Sequence, residues 1–270
     1  MPDLIAGGLR IHYAAAPVSP RRPAIVFLHG AAANHTIWLG QMKALRGRAW
    51  VVLPDLPGHG RSQEIPGVMV DDYADAMIPF LEALIAALPA PAAEAPTRGS
   101  RNGIVLAGHS MGGGIALLIA DRRPDLLSGL VLVGTGAKLG VSAEILQGLE
   151  TAPNETQALI ARSQFTPGAD PSLILRTIRD LAGTPARRTL ADFRACNTFD
   201  VRDRIAQIAV PALVLCGSED RMTPPRYSAY LAERMPHATL RIVDGVGHAI
   251  MIEAAETVSG VIAEFVASFR

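Results

Sequence analysis

Three glycine-containing segments of this chain carry residue types that together could perform nucleophilic catalysis. Gly108-His109-Ser110-Met111-Gly112 follows an apolar run and opens a segment of helical character. A serine hydroxyl is a weak nucleophile until a base takes its proton, and a sharp strand-to-helix bend lifts it clear of the backbone. Glycines on either side remove the side chains that would collide at such a bend. Seven histidines compete for the role of base. His248, in Asp244-Gly245-Val246-Gly247-His248, follows the last expected strand and falls at the same carboxyl edge as Ser110. His12 belongs to an edge hairpin and His237 to the opposite end of its strand, so neither reaches. The acid that orients the base belongs in the loop after the preceding strand, where Gly217-Ser218-Glu219-Asp220 supplies Asp220, with Glu219 as the alternative. Asp244 reads as a turn residue. The order Ser, Asp, His suits an architecture in which separate loops converge on one sheet edge.

Attack on a carbonyl creates an oxyanion that needs donors. The amide of Met111, at the start of the helix, is one candidate. The first main strand ends in Phe27-Leu28-His29-Gly30-Ala31, and the tight turn that Gly30 permits makes the Ala31 amide the second. His29 reads as a structural residue that bonds the loop backbone.

Short β-branched or Leu-rich runs alternate with longer amphipathic segments, the rhythm of a mostly parallel sheet with crossover helices. Strands are expected near residues 24–28, 50–53, 104–107, 130–133, 212–215 and 240–243, with a hairpin over 4–13 centred on Gly7-Gly8. Helices are expected over 36–45, 70–88, 111–123, 224–234 and 253–269. Pro89, Pro91 and Pro96 open an Ala/Pro-rich stretch to Gly99 that reads as a solvent loop. An interval of about seventy residues separates the fourth main strand from the next, too long for a plain connection. Its amphipathic pieces, 143–149, 156–162, 172–181 and 187–195, predict short helices forming a lid. The expected division is therefore a core over 1–136, a helical cap over 137–208 and the rest of the core over 209–270.

Composition narrows the function classes. Of 270 residues 49% are hydrophobic but only 5% aromatic, which suits aliphatic parallel strands under Ala-rich helices. Lys plus Arg and Asp plus Glu balance at 25 each, and no basic run offers a track for nucleic acid. Cys196 and Cys216 form no CxxC motif and read as reduced, buried fillers. The first residues lack a basic segment followed by an apolar one, and no apolar run approaches about 18 residues, so a cytoplasmic protein without a membrane span is expected. The histidines show no HExxH-like spacing, so neither metal nor organic cofactor is expected. A homo-oligomer is compatible with the sequence.

On the segments above the chain resembles the α/β-hydrolase superfamily, in particular its small cofactor-free carboxylesterase, lactonase and carbon–carbon hydrolase branch. Asp55-Leu56-Pro57-Gly58-His59-Gly60-Arg61-Ser62 looks like that family's DxxGHGxS loop, with Asp55 and His59 holding a turn beside the site. The resemblance runs nearly end to end, through Val210 to Asp220 and Gly247-His248. It implies an eight-stranded α/β-hydrolase fold with helices on both faces and an inserted helical cap. Ser110 sets the chain apart from the dehalogenase and epoxide-hydrolase relatives, which use Asp. Ala31-Ala32-Ala33-Asn34 lacks the Gly/Pro-rich sequence typical of meta-cleavage carbon–carbon hydrolases.

The expected reaction is two-step acyl transfer on a small apolar carboxylic ester, with an enol-lactone or other lactone as the nearest alternative and carbon–carbon bond hydrolysis third. Transfer to an alcohol or peroxide would use the same residues. Trp38, Phe165, Phe193, Phe199 and Met222 are candidates to line the pocket. A noncatalytic ligand-binding protein of this fold would show a damaged catalytic set, whereas Ser110, Asp220 and His248 are all present.

Overall fold

The structure, a computed structural model, describes residues 2–16, 23–66, 69–88 and 103–269. The Ala/Pro-rich stretch 89–99 lies outside them. Strands β1 (Asp3–Ala6) and β2 (Leu9–Ala15) pair antiparallel around Gly7 and Gly8, whose φ angles of 57° and 79° suit a tight hairpin. β3 (Ala24–Leu28), β4 (Trp50–Pro54), β5 (Ile104–His109), β6 (Leu127–Val133), β7 (Ala212–Gly217) and β8 (Ala238–Val243) complete one sheet in the order β1-β2-β4-β3-β5-β6-β7-β8. β2 meets β4 antiparallel, and every pairing from β4 to β8 is parallel.

The central strands are buried on both faces, as their unbroken aliphatic runs require. Side chains alternate between faces. Val26, Leu28, Leu106 and Leu132 enter a core beneath α2 (Val70–Ala86), α3 (Met111–Arg122) and α8 (Pro225–Arg234). Ile25, Phe27, Ala107 and Val133 enter the opposite core beneath α1 (Leu39–Ala44), α9 (Ile250–Glu253) and α10 (Ala255–Ala267).

Two helices differ from expectation. The expected helix over 36–45 begins as a 3-10 turn, His35–Trp38, capped by the Asn34 side chain accepting from Thr36 N at 2.9 Å, and becomes α-helical only at Leu39. The expected helix over 253–269 is preceded by α9 and broken at Ala254 (φ −127°). Glu253 ends α9 and turns inward, accepting from Gly247 N at 2.8 Å and from the Thr166 hydroxyl, so it serves the His248 loop and not the long helix.

Between β6 and β7 lie α4 (Ala143–Thr151), α5 (Pro153–Ser163), α6 (Pro171–Ala182) and α7 (Ala186–Thr198). Leu149, Ile160, Leu181 and Phe193 form a third apolar cluster there, which also takes in Ala32 from the loop after β3. Among the described residues no helix is long and apolar enough to cross a membrane.

Candidate active site

Because β3 to β8 are parallel, the loops at their carboxyl ends open on one side of the sheet, where ligand sites of open α/β sheets form. Ser110 stands between β5 and α3 with φ 53° and ψ −118°, a conformation that L residues other than glycine rarely adopt. It is fixed from both ends: Ser110 N donates to Val133 O at 3.0 Å and the Thr135 hydroxyl donates to Ser110 O at 2.8 Å. A Cβ on Gly108 would collide with the Gly112 carbonyl, and one on Gly112 with the carbonyls of Leu28 and His29. This strand-helix contact admits only glycine at both positions.

His248 and Asp220 meet across the loops after β8 and β7. His248 Nδ1–H donates to Asp220 Oδ2 at 2.9 Å, which leaves Nε2 free to accept. Both side chains are buried. The Thr223 hydroxyl donates to Asp220 Oδ2 at 2.8 Å, and the amides of Met222 and Thr223 donate to Oδ1 at 2.9 and 2.8 Å. Burial works to raise the Asp220 carboxyl, but the His248 charge and these bonds hold it below the usual carboxylate range. Asp220 is thus the acid that meets His248, while Glu219 and Asp244 are exposed.

His109, next to the serine, braces the same loop. Its Nε2–H donates to the His248 carbonyl at 3.1 Å and its ring lies 4.5 Å from the His248 ring. Burial and the neighbouring His248 push the His109 pKa well below the ordinary value, so it is neutral. His29 is neutral too, held at about 3 by burial and by nearby His59. Its Nδ1–H donates to Gly30 O at 2.8 Å and its Nε2 accepts from Leu56 N at 2.9 Å, joining two loops. Asp55 accepts from His35 N, His35 Nδ1 and Arg61 N, which holds its turn. His59 reaches farther than its turn: its Nε2 bonds Asp192 of α7 at 2.7 Å.

One cavity of about 70 Å³ brings these groups together, with Ser110, His109, His248, Gly30 and Ala31 among its lining residues. Neither the Ala31 nor the Met111 amide has a hydrogen-bond acceptor within the protein among the described residues. The Met111 side chain turns away into the core. Of the five apolar candidates, Phe193 and Met222 line the cavity. Trp38 does not: it is fully buried beneath the sheet, its ring tilted against Phe27 at a centroid distance of 4.8 Å and its indole N–H donating to Leu28 O. Phe165 packs in that same core and Phe199 packs against Gly114 in the other. Residues of the inserted helices that sequence reading missed take their place, chiefly Ile160, Leu181 and Cys196. The lining holds one carboxylate, Asp180, and no lysine or arginine. Among the described residues no group of three or more His, Cys, Asp or Glu could hold a metal ion.

The family described as "Alpha/beta hydrolase family" matches residues 25–260. The chain is 30% identical over 258 residues to a pimeloyl-[acyl-carrier protein] methyl ester esterase of Neisseria meningitidis serogroup B, covering 90% of this chain and 92% of that protein. It is 26% identical to 3-oxoadipate enol-lactonase 1 of Acinetobacter baylyi, over 92% of this chain and 90% of the relative. The enol-lactonase of Burkholderia xenovorans LB400 superimposes with a TM-score of 0.85 at 21% identity, covering 98% of this chain and all of the other, a likeness of fold.

Proposed function

The chain belongs to the alpha/beta hydrolase family, and we propose that it is a serine hydrolase acting on small, neutral carboxylic esters through an acyl-enzyme. The observation that carries this reading is His248, bonded to Asp220 at 2.9 Å and lining the same cavity as a serine held at φ 53°. In this mechanism His248 Nε2 takes the Ser110 proton as Oγ attacks the carbonyl carbon. The amides of Ala31 and Met111 hold the oxyanion, helped by the positive end of α3. As the C–O bond breaks, protonated His248 gives its proton to the departing alkoxide. Water then attacks the acyl group by the same route, releasing the acid and free Ser110. Asp220 keeps the His248 proton on Nδ1 throughout.

The inserted helices, read as a cap over 137–208, supply the apolar wall. A cavity of about 70 Å³ favours a short acyl group. Asp180 disfavours a substrate carrying its own carboxylate, because no lysine or arginine joins it in the cavity lining; its ion-pair partner Arg176, 3.7 Å away, lines the adjoining groove and offsets only part of its charge. A lactone is the second reading, favoured by the likeness to the Acinetobacter enol-lactonase. Hydrolysis of a p-nitrophenyl ester series and a neutral lactone panel by wild type and Ser110→Ala tests both. Turnover of short esters by the wild type, lost in Ser110→Ala, is the expected result. Turnover unchanged in the variant would overturn the mechanism, and a preference for lactones would exchange the two readings.

A further inference from the structure

The loop that carries Ala31 is a four-residue turn, Gly30 to Ala33, closed by Ala33 N donating to Gly30 O at 3.3 Å. Its third residue, Ala32, has φ 57°, the left-handed conformation for which such a turn normally uses glycine. An alanine there is under strain and persists only if its surroundings fix it. Those surroundings come from the inserted helices. Asp192 of α7 accepts from Ala32 N at 2.8 Å, and the Thr184 hydroxyl, just before α7, donates to Ala32 O at 2.8 Å. Both peptide groups flanking the Ala32 Cα are therefore held by residues more than 150 positions away in sequence.

Asp192 is completely buried, and its charge is supported on every side. Oδ2 also accepts from His59 Nε2 at 2.7 Å, and Oδ1 accepts from the Tyr73 hydroxyl at 2.5 Å. Arg188, one turn earlier on α7, donates to the same hydroxyl at 3.1 Å. Burial works to raise the Asp192 carboxyl, and the bonds from His59, Tyr73 and Ala32 bring it below the usual range. A charge buried this deeply is tolerated only with its bonds made, and one of those bonds comes from Ala32 N.

We propose that Asp192 is a positioning residue for the oxyanion hole: seated with α7, it clamps the strained Ala32 turn so that the neighbouring Ala31 amide faces the cavity. This rests on the reading of Ala31 as an oxyanion donor. It follows that the hole is complete only when the inserted helices are docked, with Thr184 holding the other side of the same residue.

The test compares wild type, Asp192→Asn, Thr184→Val and the double variant Asp192→Asn/Ala32→Gly. Readouts are kcat and KM on a short p-nitrophenyl ester and inhibition by a trifluoromethyl ketone, whose hydrate and serine adduct mimic the tetrahedral intermediate. Asp192→Asn is expected to lower kcat roughly 10- to 100-fold with KM within about twofold, and to weaken the ketone in proportion. Thr184→Val moves the same readouts in the same direction, and it carries the test if Asp192→Asn fails to fold. Glycine at position 32 adopts the left-handed conformation unaided, so the double variant is expected to recover much of the loss. A helix anchor alone would show no such rescue. Unchanged ketone affinity in Asp192→Asn or, if that variant fails to fold, in Thr184→Val, or an absent rescue in a folded double variant, would overturn the proposal. Failure of the ketone to inhibit the wild type would instead overturn the parent reading of the oxyanion hole.

Discussion

The Asp220–His248 pair is held by more than its own bond. Thr223 supplies a hydroxyl and an amide to the carboxylate, and its Oγ1 also lies 3.2 Å from His248 Nδ1. Thr223→Val keeps the shape and removes one hydrogen bond worth about 1 to 1.5 kcal/mol, so steady-state kinetics should show kcat falling roughly tenfold with KM little changed. Ionisable groups also set the pH range of the fold. His59 is raised above 6.5 because Asp192 prevails over burial, so its stabilisation is full below pH 6.5 and is lost as pH rises through the higher folded value. Asp192 and Asp220 are lowered from 3.8, and Asp55 to about 2, so their stabilisation is present above 3.8 and is lost as pH falls through the folded values. Buried, neutral His29 and His109 take up protons only on unfolding, so they withdraw stability as pH falls below 6.5. Thermal melts should therefore be highest near pH 6.5 and decline on both sides, and His59→Gln should remove the decline just above pH 6.5. The Ser110 bend and the Asp220–His248 contact were legible in sequence because each of these residues follows a strand within a few positions of a glycine. Thr223, Thr184 and Asp192 act through side-chain contacts that no local pattern encodes. One signal was available: a carboxylate between Ala191 and Phe193, four residues after Arg188, on the inward face of an amphipathic helix.

At the scale of elements, the β5–α3 bend depends on backbone approaching backbone. An added Cβ at Gly112 would lie 2.5 Å from the His29 carbonyl oxygen and 2.6 Å from that of Leu28, and neither strand nor helix can yield cheaply. Gly112→Ala should cost about 3 kcal/mol, read as a melting temperature lower by roughly 6 to 12 °C. Strand positions were legible because aliphatic runs bounded by Gly, Pro and polar residues admit few alternatives. Helix breaks were less so: the chain breaks at Ala254, after Glu253 has turned inward to bond Gly247 of the active-site loop. The pocket aromatics were the least legible. Phe27 and Trp38 pair beneath the sheet while Phe193 reaches the cavity, and hydrophobicity alone does not say which core receives a ring.

For the whole molecule, the proposed function puts substrate selection where the inserted helices line the cavity at the sheet edge. The lining has apolar walls, one carboxylate and no fixed cation, so charge should discriminate as strongly as size. Dimethyl succinate should be hydrolysed roughly tenfold or more faster than monomethyl succinate at neutral pH, as followed by pH-stat, because a carboxylate near Asp180 is repelled and left unpaired. Equal rates would remove Asp180 from the account of specificity. The central claim is that Ser110 becomes covalently acylated, and intact-mass analysis with peptide mapping after treatment with a fluorophosphonate tests it most directly. One adduct per chain, on the peptide containing Ser110 and absent from Ser110→Ala, is the predicted result. An adduct on another residue accompanied by loss of activity, or full ester turnover by an enzyme that Ser110→Ala leaves intact, would contradict it.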